Sequence, residues 1–236
     1  MQLVSLSADL LRLRNEGFEI EIRDGVLLVH HVPYVNQSSE IQFGTLVSEL
    51  TLSGDRTTKP GTHVIHFIGE HPCHRDGTKI VQIQNQSGDR QIANGITVNH
   101  SFSGRPYDKN PPEYDDYYEK ITRYIGVISS PAIAIDENVT AKTFNVIEST
   151  DEDPIFHYID TNSSRAEIIH VSDKLRRQKV GIVGIGGTGS YILDFVAKTP
   201  VSEIHLFDGD EFLQHNAFRA PGAASLEELR EKPKKV

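Results

Sequence analysis

The sequence predicts an α/β protein, in which an α+β N-terminal domain is followed by an incomplete α/β domain with a parallel sheet. Three observations lead to this fold class. Residues 180–207 alternate strand, glycine turn, helix and strand, whereas residues 1–147 mix helical periodicity with hairpin signals. An acidic stretch without apolar pattern separates the two regions. The predicted domains are therefore 1–147 and 161–236, joined by a linker over 148–160.

The N-terminal domain is predicted from short periodic segments. A helix is expected over Ser7–Asn15 with Ser7 as its N-cap, and a hairpin over Phe18–Ile22 and Val26–Val29 with Asp24-Gly25 at its turn. Further along, the pattern predicts strands over Thr62–Ile68 and Lys79–Gln84, a turn at Asp76-Gly77, a loop over Pro106–Pro112 and a helix over Tyr114–Ile128.

A further helix is predicted at the start of the second domain, over Thr161–Gln178. Ser163 or Ser164 is a suitable N-cap for it. Its apolar residues recur at helical spacing and are Ile168, Ile169, Val171 and Leu175.

A glycine-rich turn follows the first predicted strand of the second domain. Val180, Ile182 and Val183 form a β-branched run, typical of a buried parallel strand. The turn has G-x-G-G-x-G spacing and contains Gly184, Gly186, Gly187 and Gly189. A helix is expected to start near Thr188 or Ser190 and to end before Pro200. Such a turn predicts a Rossmann-like fold with nucleotide phosphate at the helix N-terminus, and the alternative is a plain strand-to-helix turn.

Acidic residues follow the second predicted strand, Ile204–Phe207. Asp208 lies where an acidic residue hydrogen-bonds ribose, which also suits a nicotinamide-dependent oxidoreductase. Asp208, Asp210 and Glu211 cluster around a glycine, which favours ribose plus a metal ion over one sugar. Asn216 and Arg219 then follow at N-x-x-R spacing, and the arginine guanidinium matches phosphate oxygens.

The glycine turn, the D-G-D run and the N-x-x-R pair together resemble the ThiF/MoeB/HesA family, the adenylating domain of ubiquitin-like-protein activating enzymes. The resemblance implies that ATP and Mg²⁺ are bound, with Asn216 and Arg219 acting catalytically on the phosphates. Lys235 matches the family's later phosphate-contacting lysine, although a solvated basic terminus is the alternative. The implied cofactor-binding residues are Gly184, Gly186, Gly187, Gly189, Asp208, Asp210 and Lys235.

The resemblance also implies a reaction and its partners. The reaction is ATP-dependent adenylation of the C-terminal carboxylate of a ubiquitin-like protein. A conjugating enzyme is a further expected partner, and the full-length form is expected to be a homodimer. In such a dimer Arg165 is the candidate to reach the ATP of the partner subunit.

Parts of the family's machinery have no counterpart in these residues. The family's sheet continues with a metal-binding aspartate, and many members carry a catalytic cysteine or zinc-binding cysteine pairs. We therefore expect this chain to be C-terminally truncated, the front part of a longer activating enzyme, and to adenylate poorly.

The N-terminal domain carries a second, weaker resemblance. The runs HSFSGRP and DYYEKITRYI are similar to an uncharacterised domain found ahead of ThiF domains in some bacterial proteins. We expect this domain to recruit a modifier or conjugating partner. A non-catalytic recruiting module is therefore a second alternative for the whole chain.

Histidines surround the single cysteine, Cys73. A zinc site and a cysteine nucleophile are both conceivable, but the H-x-C-H spacing fits no standard zinc pattern, and buried structural roles are favoured. The residues in question are His63, His66, His71, Cys73, His74 and His100.

Composition excludes several other classes. A formal net charge of −9 argues against a nucleic-acid partner. No apolar run approaches the roughly 20 residues needed to span a bilayer, so no membrane partner is expected. The single cysteine suits a reducing cytoplasm.

Overall fold

The computed structural model describes residues 2–146, 155–166 and 168–236. The chain divides into two compact units, Met1–Val146 and Ile147–Val236. Residues 148–154 of the predicted linker lie outside the described residues.

The N-terminal unit is an α+β domain built on one antiparallel sheet. Its helices are α1 (Gln2–Leu6), α2 (Ala8–Asn15) and α3 (Tyr117–Ile133). Its strands are β1 (Ile20–Arg23), β2 (Val26–Val35), β3 (Ile41–Glu49), β4 (Leu52–Ser53), β5 (Arg56–Thr57), β6 (Val64–Ile68), β7 (Gln84–Ala93) and β8 (Ile96–Ser103). The main sheet has the order β1-β2-β3-β6-β8-β7, and β4 pairs with β5 in a separate small hairpin.

The β1–β2 hairpin confirms the predicted D-G turn. Asp24 and Gly25 both have positive φ angles, of 49° and 78°. Two left-handed residues define the turn whose twist matches that of the flanking strands. The hairpin sets the register in which Arg23 pairs with Val26.

Strand β2 is apolar because both faces of the sheet are covered where it runs. Successive side chains of a strand point to opposite faces. Leu27 and Val29 belong to the main core with α2 and α3, whereas Val26 and Leu28 belong to a second cluster with Ile96 and Val98 of β8. The apolar run Val26–Val29 at the start of β2 follows from this double burial.

Helix α3 is displaced relative to its predicted range, Tyr114–Ile128. It begins at Tyr117 because the Asp116 side chain accepts a hydrogen bond from the N–H of Glu119, at 2.7 Å. It continues to Ile133 and includes Pro131 in its last turn.

Two predictions for the N-terminal unit are wrong. Residues 79–83 form no strand: the N–H of Ile80 donates to Pro72 O at 3.0 Å, and the strand begins only at Gln84. Ser7 stands at the N-cap position of α2 but makes no capping hydrogen bond, because its Oγ accepts from the N–H of Thr57 instead. The turn at Gly77 is confirmed, with a φ of 79°.

The C-terminal unit contains a two-stranded parallel sheet. Its helices are α4 (Thr161–Arg165), α5 (Ile169–Ser172), α6 (Gly187–Val196), α7 (Gln214–Ala217) and α8 (Leu226–Glu231), and its strands are β9 (Lys179–Val183) and β10 (Glu203–Phe207). β9 and β10 pair in register, with Val183 beside Phe207 at their carboxyl ends. The predicted order of strand, glycine turn, helix and strand is confirmed.

The predicted continuous helix over Thr161–Gln178 is wrong. The segment contains α4, α5 and a single 3₁₀ turn, and Glu167 lies outside the described residues. Asp160, rather than Ser163 or Ser164, caps α4, because its carboxylate accepts from the N–H of Ser163 at 2.9 Å. Ile168 and Val171 are exposed, so no buried apolar stripe stabilises a continuous helix here.

Within the described ranges, no helix has the length and apolar character needed to cross a bilayer.

Candidate functional site

The glycine turn joins the carboxyl end of β9 to the start of α6. Gly184 has a φ of 87°, a left-handed conformation that favours glycine, and its N–H donates to Phe207 O at 2.8 Å. A Cβ atom on Gly189 would overlap the carbonyl oxygen of Gly184. The turn therefore packs so closely on the first turn of α6 that Gly189 has no room for a side chain.

Helix α6 presents a free N-terminus beside this turn. Gly186 is its N-cap and supplies no side-chain acceptor. The first N–H groups of a helix have no acceptors within it and carry a partial positive charge. The start of α6 therefore has the polarity that binds phosphate.

Arg219 lies directly against Gly187, the first residue of α6. A Cβ atom on Gly187 would be 3.2 Å from the carbonyl oxygen of Arg219 and 3.3 Å from its Cδ. The arginine side chain is exposed, and no hydrogen bond or ion pair engages its guanidinium within the described part of the chain. The structure thus brings a free cation to the helix N-terminus, a combination that suits an anionic ligand.

Asn216 is buried rather than directed into open space. Its side chain is 5% exposed, and its Oδ1 accepts a hydrogen bond from the N–H of Leu213 at 2.9 Å. Its carbonyl oxygen accepts from the N–H of Arg219 at 3.0 Å. Asn216 therefore organises the loop that carries Arg219.

Asp208 connects the end of β10 to the glycine turn. Its Oδ2 accepts from the N–H of Ile185 at 2.7 Å, and its Oδ1 accepts from the N–H of Asp210 at 2.9 Å. The Asp210 N–H, together with that of Ile185 and the Lys235 ammonium, holds the pKa of the Asp208 carboxyl below its usual range. Asp208 is therefore an anion that fixes the turn beside it.

Lys235 reaches the two aspartates through a short backbone ladder. The N–H of Phe212 donates to Pro233 O at 2.7 Å, and the N–H of Lys235 donates to Asp210 O at 3.1 Å. The Lys235 Nζ lies 2.9 Å from Asp210 Oδ2 and 3.4 Å from Asp208 Oδ2, and its side chain is 6% exposed. These carboxylates, Asp210 first, raise the pKa of Lys235.

The aspartates do not by themselves form a metal centre. Across the residues that the structure describes, no three His, Cys, Asp or Glu side chains are grouped as metal ligands. Mg²⁺ bound with a nucleotide needs only one or two carboxylates besides phosphate and water. Asp208 and Asp210 fit that limited role.

The cysteine of the N-terminal unit is inert in its surroundings. Cys73 is fully buried, its Sγ donates to His71 O at 3.2 Å, and burial raises the pKa of its thiol. A catalytic cysteine needs an accessible thiolate, so the geometry argues against a nucleophile.

The neighbouring histidines make structural contacts, and the rings of His71 and His100 pack edge to face with their centroids 5.1 Å apart. His63 pairs with Ser103 Oγ at 3.0 Å, and His66 contacts the Arg90 guanidinium at 3.2 Å. His71 Nδ1 donates to Pro72 O at 2.9 Å. These contacts suit the structural role that the sequence favours.

One unusual residue, Lys120, was not predicted from the sequence. Lys120 of α3 is fully buried, and its Nζ donates to Ser48 Oγ at 2.9 Å. Burial lowers the pKa of Lys120 to about 8. The helical spacing of the sequence indicates that position 120 is buried, because Tyr117, Ile121 and Tyr124 lie on the same helix face.

Comparison with known families agrees with this geometry. Residues 8–161 match the family described as Domain of unknown function (DUF6791), and residues 162–231 match the ThiF family. The first match covers more than half of the chain, which therefore belongs to the DUF6791 family. The second match lies in the Rossmann-like part of the chain, which is similar to the ThiF family over residues 162–231. Searches of curated proteins and of solved structures returned no significant match.

Proposed function

We propose that the ThiF segment binds ATP with Mg²⁺ and serves the adenylation of the C-terminal carboxylate of a ubiquitin-like protein. The observation that carries this proposal is the position of Arg219, whose carbonyl oxygen and Cδ lie against Gly187 at the N-terminus of α6 and whose guanidinium has no partner among the described residues. A strand-turn-helix alone is compatible with many nucleotides. The added cation favours a ligand with a highly charged phosphate chain.

Each residue of the site has a separate task in this proposal. The turn at Gly184, Gly186 and Gly189 lets phosphate approach the N–H groups of α6, and Gly187 makes room for Arg219. Arg219 neutralises phosphate charge, and Asp208 accepts from ribose hydroxyls. ATP supplies the adenylyl group when bound, with Mg²⁺ held by its phosphates and by Asp208 or Asp210.

Lys235 would contribute positive charge at the same place. Its side chain is paired with Asp208 and Asp210 in the structure, and it extends from the backbone ladder at Pro233. In this pairing its charge is offset by the two carboxylates, so Lys235 would add positive charge at the phosphates only after leaving them.

The proposed setting is a cytoplasmic ubiquitin-like conjugation system. The partners would be the modifier, a conjugating enzyme recruited by the N-terminal unit, and a second copy of the full-length chain. Arg165 would contribute to the ATP site of that second copy.

The nucleotide is tested by thermal unfolding of the full chain. We expect ATP with Mg²⁺ to raise the melting temperature and NAD to leave it unchanged. Arg219→Ala should abolish the shift, whereas Arg230→Ala, an exposed arginine on α8, should retain it. A shift with NAD and none with ATP would instead support the oxidoreductase alternative.

The reaction is tested by pyrophosphate exchange with the cognate modifier, using the full-length gene product. Exchange that depends on Arg219 supports adenylation. Modifier or conjugating-enzyme binding without any exchange would support the non-catalytic recruiting module.

A further inference from the structure

We propose that the Lys235 ammonium occupies a cation position between Asp208 and Asp210, so that these two carboxylates bind a divalent ion only together with nucleotide. The inference rests on the proposed function of the ThiF segment. It concerns the nucleotide-free protein and the order in which ligands enter the site, and it is separate from any later contact between Lys235 and phosphate.

The ammonium lies between the two carboxylates that are the candidates to hold Mg²⁺. Lys235 Nζ is 2.9 Å from Asp210 Oδ2 and 3.4 Å from Asp208 Oδ2. The side chains of Lys235 and Asp208 are each 6% exposed, whereas that of Asp210 is 78% exposed. Because charges with little access to water are only weakly screened by salt, the ammonium offsets much of the negative charge that would attract a metal ion.

Asp208 has little remaining capacity for a further cation. Its Oδ2 accepts hydrogen bonds from the N–H of Ile185 and from Lys235 Nζ, and its Oδ1 accepts from the N–H of Asp210. A carboxylate has about four lone-pair positions in all. Two of the three donors are backbone N–H groups, so the Lys235 side chain is the donor that is able to leave.

The backbone of Lys235 is held independently of its side chain. Its N–H donates to Asp210 O at 3.1 Å, and the preceding residue, Lys234, forms an antiparallel bridge with Glu211. A lysine side chain is a flexible four-carbon stem, so the ammonium can leave the aspartates while the backbone stays in place. The ammonium would then be available to phosphate without a rearrangement of the loop.

Nucleotide changes the balance between the ammonium and a divalent ion. Without nucleotide, Mg²⁺ gives up its water reluctantly and gains two carboxylates at most. The ammonium competes for the same carboxylates from a tethered position, which gives it a high effective concentration. Phosphate oxygens add ligands for Mg²⁺ and offer the ammonium another partner. The aspartates are therefore expected to bind metal with the nucleotide and not before it.

The role of Lys235 is tested without nucleotide, by measuring Mn²⁺ binding to the full chain from the electron paramagnetic resonance signal of free Mn²⁺. Mn²⁺ favours the same oxygen ligands as Mg²⁺. Lys235→Met should bind Mn²⁺ about tenfold more tightly than wild type, within the usual range for coupling between two ligands. Lys234→Met removes the same charge from a neighbouring exposed residue and should resemble wild type. Equal Mn²⁺ affinity of wild type and Lys235→Met, or an equal gain in Lys234→Met, would overturn the proposal.

Two further variants test whether the positive charge at the aspartates is the cause. Lys235→Arg keeps this charge and can pair with carboxylates, so it should bind Mn²⁺ as weakly as wild type. Asp210→Asn, added to Lys235→Met, should remove most of the gain in Mn²⁺ affinity. Mn²⁺ binding by Lys235→Arg that is as tight as that of Lys235→Met would contradict the proposal, and so would a gain that survives Asp210→Asn.

The fold and the proposed function are checked separately. Hydrogen exchange of β9 and β10 should be the same in wild type and Lys235→Met. Should Lys235→Met lose this protection, Lys235→Gln takes its place in the Mn²⁺ measurement, because glutamine retains a hydrogen-bond donor for the aspartates but has no charge. Wild-type protein that binds no ATP with Mg²⁺ would count against the proposed function, whereas the Mn²⁺ comparison without nucleotide decides the role of Lys235.

Discussion

At the residue scale, two neighbouring glycines of the turn are required for different reasons. A side chain on Gly189 would overlap the backbone of Gly184, which has no freedom to move away. A side chain on Gly187 would meet Arg219, whose exposed side chain is able to shift. Gly189 is therefore required for backbone packing, whereas Gly187 is required for the position of Arg219.

Gly189→Ala is expected to destabilise the C-terminal unit by about 3 kcal/mol or more, because overpacking against backbone is not relieved by a rotamer change. The change is measured as faster hydrogen exchange of β9 and β10. Gly187→Ala is the matched control. It should leave that exchange nearly unchanged and weaken binding of ATP with Mg²⁺ several-fold, since Arg219 is displaced. Equal stability of the two variants would contradict this distinction.

Lys120 is expected to reduce stability at neutral pH. Its pKa falls from 10.5 to about 8 on folding, so between these values the unfolded chain binds more protons and stability rises with pH. Below pH 8 the full penalty, about 3 kcal/mol, is present. Lys120→Met should therefore raise the free energy of unfolding at pH 7, with a gain that shrinks towards pH 10.5.

Urea unfolding across this pH range measures the effect of Lys120→Met. Lys59→Met, at an exposed position of the same unit, is the control and should show no such pH dependence. A loss of stability at pH 7 in Lys120→Met would show that the buried ammonium is net stabilising.

At the element scale, four buried or half-buried histidines lie in or next to β6 and β8: His63 just before β6, His66 in β6, His71 in the loop after β6 and His100 in β8. Burial lowers the pKa of His63, His66, His71 and His100. Below about pH 6.5 the unfolded chain takes up protons that the folded chain does not. Stability should therefore fall as the pH drops below this value.

His71→Phe should reduce this acid sensitivity. His71 Nε2 is buried without a partner among the described residues, and Pro72 O retains the Ile80 N–H when the His71 hydrogen bond is lost. Urea midpoints at pH 7.5 and pH 5 should differ less in this variant than in wild type. His74→Phe, at an exposed position, is the control and should keep the wild-type difference; an equal difference in His71→Phe would contradict the assignment.

Some of the helices and strands could be predicted from the sequence, and others could not. The order of β9, glycine turn, α6 and β10 was predictable because a buried parallel strand and a glycine turn have strong local signals. Strand β7 was not, because its polar sequence lacks apolar alternation and its residues are mostly exposed. The continuous helix over Thr161–Gln178 was mispredicted from apolar spacing that is not matched by burial.

At the scale of the whole molecule, the two units differ in what their structures indicate about function. The N-terminal unit has an extensive core, and its unusual groups, Lys120 and Cys73, are buried. The candidate site lies within the C-terminal unit, where the two halves of the sequence motif meet. The glycine turn and Arg219 are separated along the chain, and the fold places them in contact.

The site was only partly predictable for the same reason. The motif predicted Gly187, Asp208 and Arg219 as site residues by residue type and spacing. It did not reveal that Asn216 faces Leu213, or that Lys235 is paired with Asp208, because these contacts depend on how the loop after β10 folds. Spacing indicates which residues belong to a site, whereas contacts indicate what each one does.

We propose that the start of α6 and Arg219 form a binding site for ATP phosphates. Hydrogen exchange of the full chain with and without ATP and Mg²⁺ measures whether these residues become protected. We predict slower exchange at residues 184–190 and 216–219 with ATP, no such change with NAD, and none with ATP in Arg219→Ala. Unchanged exchange at these residues with saturating ATP, or equal protection by NAD, would contradict the claim.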